Sequence, residues 1–141
     1  MENRKLTIRP AVASDLAELK RGHLMTRFLA RALHYQLGDR SWALTLEGRP
    51  IAAAGIWPGD GIAEAWFLAT PALKGKSVLP IALPMIAAAL QKLHRPSVPI
   101  IAAVAADNRG GRALASRLGF VDAGQHPDPS YPGCVMFVLS G

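Results

Sequence analysis

The chain has 141 residues, a length typical of one domain, so we predict a single domain over residues 1–141 and no second one. Half of the residues are apolar, 18% are charged and the mean hydropathy is +0.20, which excludes an intrinsically disordered chain. Lys and Arg outnumber Asp and Glu by 16 to 10. The resulting charge of +6 indicates an anionic partner: nucleic acid, a membrane surface or a polyphosphate cofactor.

The single cysteine, Cys134, excludes an intrachain disulfide, a Cys-x-x-Cys redox motif and a zinc ribbon, and it fits a reducing compartment. The first five residues carry charge, but no apolar segment follows them. We therefore predict no signal peptide and a cytoplasmic location. The apolar stretch over residues 81–93 is too short to span a bilayer and predicts a buried helix instead.

The N-terminal part predicts one strand followed by two helices. Residues 5–9 alternate polar and apolar side chains and stop at Pro10, as an edge strand does. Ser14 with Asp15 offers an N-cap for a helix over residues 14–22. Apolar residues at helical spacing predict a second helix over residues 26–37.

The central part predicts an antiparallel meander of three strands. Residues 41–46 and 51–57 flank a Gly-Arg-Pro turn and predict a hairpin, and a Pro-Gly-Asp-Gly turn leads to a third strand over residues 62–69. Each strand carries one tryptophan, Trp42, Trp57 or Trp66. Core packing is the default role of a tryptophan on such a strand, with Trp66 the one best placed to reach a cleft.

The C-terminal part predicts two further helices and three strands. The apolar helix runs over residues 80–93 and is followed by a buried strand at residues 100–105. Asp107 or Asn108 caps a helix that ends at Leu118, with Gly119 in the C′ position. The pattern then predicts two final strands joined by a Pro-rich loop, at residues 121–123 and 135–139.

The segment Ala69–Val78 (Ala-Thr-Pro-Ala-Leu-Lys-Gly-Lys-Ser-Val) joins a strand to a helix through a loop with glycine, two lysines and serine. The free backbone N–H groups at the start of a helix bind phosphate, although an ordinary turn with hydrated lysines has the same composition. A Walker loop is excluded, because its first glycine would stand at Thr70.

A second segment lies about 38 residues later and runs from Asp107-Asn108-Arg109 to Leu118-Gly119-Phe120. In this order and spacing the two segments resemble the GCN5-related N-acetyltransferase (GNAT) superfamily. Pro71 to Ser77 aligns without a gap on that family's V-x-P-x-x-R-G-x-G segment, and Asn108 to Phe120 matches the helix that ends in L-G-F. The predicted order of strands and helices is also the family's order, so the resemblance covers nearly the whole chain.

The resemblance implies an α/β (α+β) fold: a central mixed, mostly antiparallel sheet of about seven strands flanked by four helices. It also implies acetyl-CoA as the co-substrate, with its pyrophosphate on the loop amides and its pantetheine arm between two central strands. The positive charge agrees, since coenzyme A carries several phosphate charges. The cofactor-binding residues implied are Leu68, Ala69, Lys74, Gly75, Lys76, Ser77, Val78, Asn108 and Arg112.

Glu64 and Tyr131 are the catalytic candidates. Glu64 is the single carboxylate on the third meander strand, where enzymes of this family often place the general base. Its side chain faces the cleft or the solvent according to the strand register, which a one-residue slip would reverse. Many of these enzymes protonate the departing thiolate with a tyrosine at the position of Ala115, so we consider Tyr131, in the loop before the last strand, as the acid.

The four histidines share no metal-ligand spacing, so we predict no metal site; they are His23, His34, His94 and His126. His23 and His34 lie on the two N-terminal helices, which usually shape the acceptor pocket in this family, and either lines that pocket or lies on a helix surface.

We therefore predict an N-acetyltransferase that moves an acetyl group from acetyl-CoA to a primary amine, on a small molecule or a peptide, by direct attack. The alternative is a catalytically inactive GNAT-fold structural or binding protein, because residues 48–71 faintly resemble small GNAT-like proteins of tailed bacteriophages and the residues at Ser77, Leu79 and Ala115 depart from the family pattern. A nucleic-acid-binding module is disfavoured by the lack of an RNP or KH signature. We predict no membrane partner, and a homodimer is compatible with the sequence.

Overall fold

The computed structural model describes residues 5–19, 40–58, 61–74, 78–93, 97–129 and 131–140. Its strands, in chain order, are β1 (Leu6–Arg9), β2 (Ser41–Leu46), β3 (Arg49–Pro58), β4 (Ala63–Ala69), β5 (Ile100–Ala105), β6 (Val121–Gln125) and β7 (Cys134–Leu139). They form one seven-stranded sheet in the order β1-β2-β3-β4-β5-β7-β6. The pair β4–β5 is parallel, whereas β1–β2, β2–β3, β5–β7 and β6–β7 are antiparallel. The predicted mixed, mostly antiparallel sheet is thus confirmed.

Three α-helices lie in the described part of the chain: α1 (Ala13–Leu19), α2 (Leu79–Leu93) and α3 (Arg109–Arg117). A 3-10 turn, Pro71–Lys74, precedes α2. The fourth predicted helix, over residues 26–37, lies outside the described residues, as do His23 and His34. Within the described ranges, no helix is long and apolar enough to cross a membrane.

The chain divides into two compact units. One comprises Met1–Ile56 and Trp66–Leu93, and the other comprises Trp57–Ala65 and His94–Gly141. The single domain over residues 1–141 stays a prediction.

The core of the first unit includes small side chains on adjacent strands, beside large aliphatic and aromatic ones. Ala43, Ala52 and Ala53 are fully buried on β2 and β3, where the two strands pair. Trp66 lies against the backbone of Gly55, because a Cβ added at Gly55 would stand 2.7 Å from the indole Cζ2 and Nε1. Glycine at this position therefore leaves room for the indole. All three tryptophans are buried, which confirms their predicted place in the core: Trp42 (8% exposed), Trp57 (3%) and Trp66 (4%).

Helix α2 buries one face and exposes the other. Ala82 and Ile86 are buried at a spacing of one helical turn, whereas Ile81 is 60% exposed, so the prediction of a buried helix is wrong for the opposite face. The helix also continues through Pro84. Proline lacks the N–H that would bond the carbonyl four residues earlier, at Pro80; both prolines are exposed, so water can satisfy that carbonyl.

The C-terminus of α3 explains the Leu-Gly-Phe sequence that follows it. The amide of Phe120 donates to the carbonyl of Ala115 (3.0 Å) and that of Gly119 to Ser116 (3.1 Å), which is the bonding pattern of a Schellman motif. Gly119 has φ +98°, a left-handed conformation that favours glycine. Gly119 is therefore the C′ residue, as predicted, and Phe120 is buried beyond it.

An ion pair between a half-exposed arginine and a buried aspartate joins the end of β1 to the start of α1. Both guanidinium Nη atoms of Arg9 donate to the Asp15 carboxylate, at 2.7 and 2.8 Å, and the amide of Val12 donates to the same group at 2.9 Å. Asp15 thus acts from inside the first helical turn, rather than at the N-cap position that the sequence predicts. These hydrogen bonds, chiefly those from Arg9, lower the pKa of Asp15.

We expect Asp15→Asn to destabilise the protein by about 1–3 kcal/mol at neutral pH, because charge-assisted hydrogen bonds to a buried carboxylate are lost. The lowered pKa means that this stability is fully present above the ordinary carboxyl value of 3.8 and is lost as pH falls through the folded-state pKa. Chemical denaturation at several pH values should therefore show the two proteins converging in acid.

Glu18→Gln is the matched control for Asp15→Asn. Glu18 pairs with Arg49 at 3.7 Å between side chains that are 48% and 83% exposed, so this change should move stability by less than about 0.5 kcal/mol. The proposed role of the Asp15 carboxylate would be contradicted if both substitutions changed the free energy of unfolding equally. It would also be contradicted if Asp15→Asn remained less stable than the unaltered protein below the folded-state pKa of Asp15.

Candidate functional site

Glu64 lies on β4, in the short parallel ladder with β5. The ladder pairs Ala63–Ala65 with Ile100–Ala102, and Glu64 stands opposite Ile101. The amide of Ala63 donates to the carbonyl of Pro99 at 2.9 Å and fixes the start of the ladder. The Glu64 residue is half-buried at this position.

Tyr131 lies in the loop between β6 and β7, and backbone hydrogen bonds hold this loop closed. The amide of His126 donates to the carbonyl of Cys134 (2.9 Å), that of Tyr131 to Asp128 (3.0 Å), and that of Cys134 to Tyr131 (3.3 Å). The amide of Ala106, just after β5, donates to the carbonyl of Gly133 at 2.9 Å. Three prolines (127, 129 and 132) restrict φ further, so the loop presents Tyr131 from a constrained backbone.

The structure brings Glu64 and Tyr131 together across 67 residues of sequence. The Tyr131 phenol donates a hydrogen bond to Oε2 of Glu64. A phenol that donates to a carboxylate forms a charge-assisted O–H···O bond, one of the stronger hydrogen bonds in proteins. The pair combines a proton acceptor with a proton donor, which are the two groups that the sequence proposes separately for base and acid.

His126 completes this cluster. Its ring packs against the Tyr131 ring with centroids 4.7 Å apart and planes tilted by 43°. Its Nδ1 accepts a hydrogen bond from the Asp128 amide at 3.1 Å. In the sequence His126 is a candidate only as a metal ligand, and residue type and spacing do not indicate this contact. The available signal was a histidine two residues before an aspartate in a Pro-rich turn. Within the described residues, no group of three or more His, Cys, Asp or Glu side chains is arranged to hold a metal ion.

Asn108 caps α3, as the sequence predicts. Its Oδ1 accepts from the amide of Gly111 at 2.9 Å, and the closeness of this contact depends on Gly111 having no side chain. A Cβ at Gly111 would stand 2.6 Å from Nδ2 of Asn108 and 3.1 Å from Cγ1 of Val104. Residue type and spacing do not reveal this requirement for glycine.

Arg112 is held within the second unit. One Nη donates to the carbonyl of Ala106 at 3.0 Å, and the other pairs with the Asp122 carboxylate at 3.3 Å. Both partners of the ion pair are about two-fifths exposed, with side chains at 41% and 43%. A phosphate approaching Arg112 would therefore compete with Asp122 for the guanidinium.

The remaining predicted cofactor-binding residues follow β4. Leu68 and Ala69 are half-buried at the end of the strand, and Lys74 closes the 3-10 turn. Val78 is buried, and its carbonyl accepts from the amides of Ile81 (3.1 Å) and Ala82 (2.8 Å). Gly75, Lys76 and Ser77 lie outside the described residues, as does His94. Ala115 is 8% exposed on α3, so its buried methyl group supplies no acid at that position.

The comparisons with known proteins identify the fold. No protein-family model matches the chain. No curated protein matches it either. Among solved structures, the chain is similar to the aminoglycoside acetyltransferase AAC(6')-Ib in complex with coenzyme A and kanamycin (TM-score 0.64, 20% identity, 96% of this chain and 95% of that one).

Two further solved structures have the same degree of likeness. YncA of Salmonella typhimurium, a putative acetyltransferase with acetyl-CoA, gives a TM-score of 0.63 at 17% identity over 96% of this chain and 93% of that one. An acetyltransferase of Agrobacterium tumefaciens gives 0.63 at 20% identity over 98% and 91%. These likenesses confirm the predicted GNAT fold; identities of this size show the fold alone.

We expect Gly111→Ala to destabilise the protein, although alanine favours helix more than glycine does. The added methyl group would displace the Asn108 side chain, and loss of an asparagine cap costs about 1 kcal/mol or more. Denaturant unfolding measures this loss of stability.

The neighbouring Gly110→Ala is the control. Gly110 is exposed on the same helix, and alanine there should stabilise by up to about 1 kcal/mol. Stabilisation by both substitutions would show that Asn108 accommodates a side chain at position 111.

Proposed function

We propose that this chain is an N-acetyltransferase that moves an acetyl group from acetyl-CoA to a primary amine by direct attack. The observation that carries the proposal is the hydrogen bond from Tyr131 to Glu64. It joins a base and an acid in a chain whose fold is that of acetyltransferases solved with coenzyme A or acetyl-CoA.

The proposed reaction uses one proton circuit. The neutral amine attacks the thioester carbonyl carbon, so that a C–N bond forms and the C–S bond breaks. Glu64 accepts the proton that the amine nitrogen releases, and Tyr131 gives its phenolic proton to the departing thiolate. The proton on Glu64 then passes along the existing hydrogen bond to Tyr131. Both side chains return to their starting states, and the products are the N-acetylated amine and the free thiol.

The cofactor-binding residues remain those that the sequence predicts: the end of β4, the loop to α2, Asn108 and Arg112. The net charge of +6 supports an anionic co-substrate. Arg112 must exchange its ion pair with Asp122 for a phosphate oxygen before it can bind the cofactor. We therefore assign the larger share of phosphate binding to the loop amides.

The acceptor is a primary amine on a small molecule. Two structures with this fold hold the aminoglycosides kanamycin and ribostamycin, so these two compounds are the first acceptors to test. The other proposal for this fold, a protein that binds without catalysis, is supported by the buried alanine at position 115. The experiments below separate the two.

We expect Glu64→Gln to lower turnover by about 10² to 10⁴-fold, because the amide keeps the shape of the carboxylate and removes its basicity. Raising the pH should partly rescue this variant, since hydroxide then takes the proton that the attacking amine nitrogen releases. Tyr131→Phe should lower turnover without such rescue, because the thiolate still lacks its acid. Steady-state rates with acetyl-CoA and kanamycin across pH measure both effects.

Glu18→Gln serves as the control for the loss of one carboxylate, because Glu18 lies on α1 with a largely exposed partner. It should leave the rate unchanged. Full activity of Glu64→Gln across pH would contradict the assignment of Glu64 as the base. Failure of the unaltered protein to acetylate either aminoglycoside or any simple amine would favour the non-catalytic function.

Acetyl-CoA binding is a separate prediction. At a hundredfold excess over its dissociation constant, acetyl-CoA should stabilise the folded protein by about 2.7 kcal/mol. Thermal unfolding with and without the ligand measures the shift, and isothermal titration measures the dissociation constant.

Gly75→Val should abolish this stabilisation while the unliganded melt changes little, since a side chain in the loop would block the approach of the pyrophosphate. A melt that acetyl-CoA leaves unmoved would contradict cofactor binding. Loss of the unliganded fold in Gly75→Val would assign Gly75 a structural role instead.

A further inference from the structure

His126 is a buried polar side chain, and one of its ring nitrogens has no partner in the described part of the chain. The residue is 8% exposed, and its Nδ1 accepts from the Asp128 amide at 3.1 Å. Its Nε2 is itself buried and has no hydrogen-bond partner among the residues that the structure describes. Buried polar atoms in native proteins are nearly always paired, so an unpaired one calls for an explanation.

The paired nitrogen determines the chemistry of the unpaired one. Because Nδ1 accepts a hydrogen bond from a backbone amide, it carries no proton, and in the neutral ring the proton lies on Nε2. The orphaned group is therefore an N–H donor. Burying a donor without an acceptor costs free energy, and a phenylalanine in this position would pack against Tyr131 without that cost.

The donor belongs to the same cluster as the candidate base. The centroids of the His126 and Tyr131 rings are 4.7 Å apart, and the Tyr131 phenol donates a hydrogen bond to the Glu64 carboxylate. The Tyr131 side chain thus lies between two groups. One is the Glu64 carboxylate, which is assigned to the amine, and the other is the His126 N–H donor, which requires an acceptor atom. A ligand with both groups satisfies both residues.

We propose that His126 Nε2–H binds an uncharged oxygen of the acceptor substrate, so that the enzyme prefers primary amines that also carry hydroxyl groups. This inference rests on the proposed function, because Glu64 is assigned there to the amine. Nε2 is covered in the unliganded protein, so the proposal requires the exposed residues beside the ring, Pro127 and Asp128, to move aside when the oxygen binds. His126 then contributes to specificity, whereas Glu64 and Tyr131 carry the chemistry.

Two substitutions separate the roles of the two ring nitrogens. In His126→Asn the amide oxygen can replace Nδ1 as the acceptor for the Asp128 amide, but the Nε2 donor is lost. In His126→Gln the amide nitrogen can replace the Nε2 donor, but the Nδ1 acceptor is lost. If His126 only stabilises the loop, the Nδ1 acceptor is the group that matters. If His126 binds substrate, the Nε2 donor is the group that matters.

The first measurement compares two ring amines, glucosamine, which carries hydroxyl groups, and cyclohexylamine, which has none. We expect the kcat/KM for glucosamine divided by that for cyclohexylamine to fall about tenfold in His126→Asn, because one hydrogen bond to the substrate is lost. The same ratio should change less in His126→Gln. Thermal unfolding should show the opposite order, with His126→Gln the less stable variant. A ratio that is unchanged in His126→Asn overturns the proposal.

The second measurement does not depend on activity. Two-dimensional ¹H–¹⁵N spectra of the histidine-labelled protein report which ring nitrogen of His126 carries the proton. We expect the Nε2–H form, with a resonance that moves when glucosamine is added and not when cyclohexylamine is added. An Nδ1–H form, or a resonance that glucosamine leaves in place, overturns the proposal. A moving resonance in a protein that acetylates neither amine supports oxygen recognition by His126 and contradicts the proposed acetyl transfer.

Discussion

The antiparallel ladder between β5 and β7 is the constraint on which the candidate site depends. It pairs six positions without a break, from Ile100 with Leu139 to Ala105 with Cys134. Since β5 also pairs in parallel with the start of β4, the same strand sets the position of Glu64 on one side and of the loop before β7 on the other. A one-residue slip in either ladder would turn the side chains of a whole strand to the opposite face. The contact between Tyr131 and Glu64 therefore depends on two registers, both of which lie within the second unit.

Local pattern was sufficient to predict most of the fold. The alternation in residues 41–46 and the apolar run in residues 100–105 give strands with the bounds that the structure has. The Leu-Gly-Phe sequence predicts the end of α3, because that end depends on a single residue, Gly119, adopting the left-handed conformation that favours glycine. One error concerns packing: apolar composition alone cannot show that Ile81 faces outward, since the periodicity of a helix with alanine on both faces is weak.

The candidate site was predictable only in part, for a physical reason. Glu64 and Tyr131 were each found from residue type and position, but their contact spans 67 residues and depends on strand register. The role of Gly111 was not visible either, because it follows from the reach of the Asn108 side chain over the first helical turn. Net charge was similarly incomplete as evidence. Arg9 and Arg112 each pair with an aspartate, so the net charge of +6 does not show which basic side chains are available to an anion.

A catalytic acid on a loop, such as Tyr131, requires a loop backbone that is as well fixed as the backbone of a helix. Sites on helices and strands are ordinarily the more precise, because each side chain is positioned by a regular backbone. Here Ala115 offers no acid from α3, and the loop around Tyr131 is restrained instead by three prolines and by hydrogen bonds at both ends. The His126 ring adds a contact on the Tyr131 side chain itself. Because these restraints act before any ligand binds, the phenol is already directed at Glu64, and little conformational freedom remains to be lost when a substrate arrives.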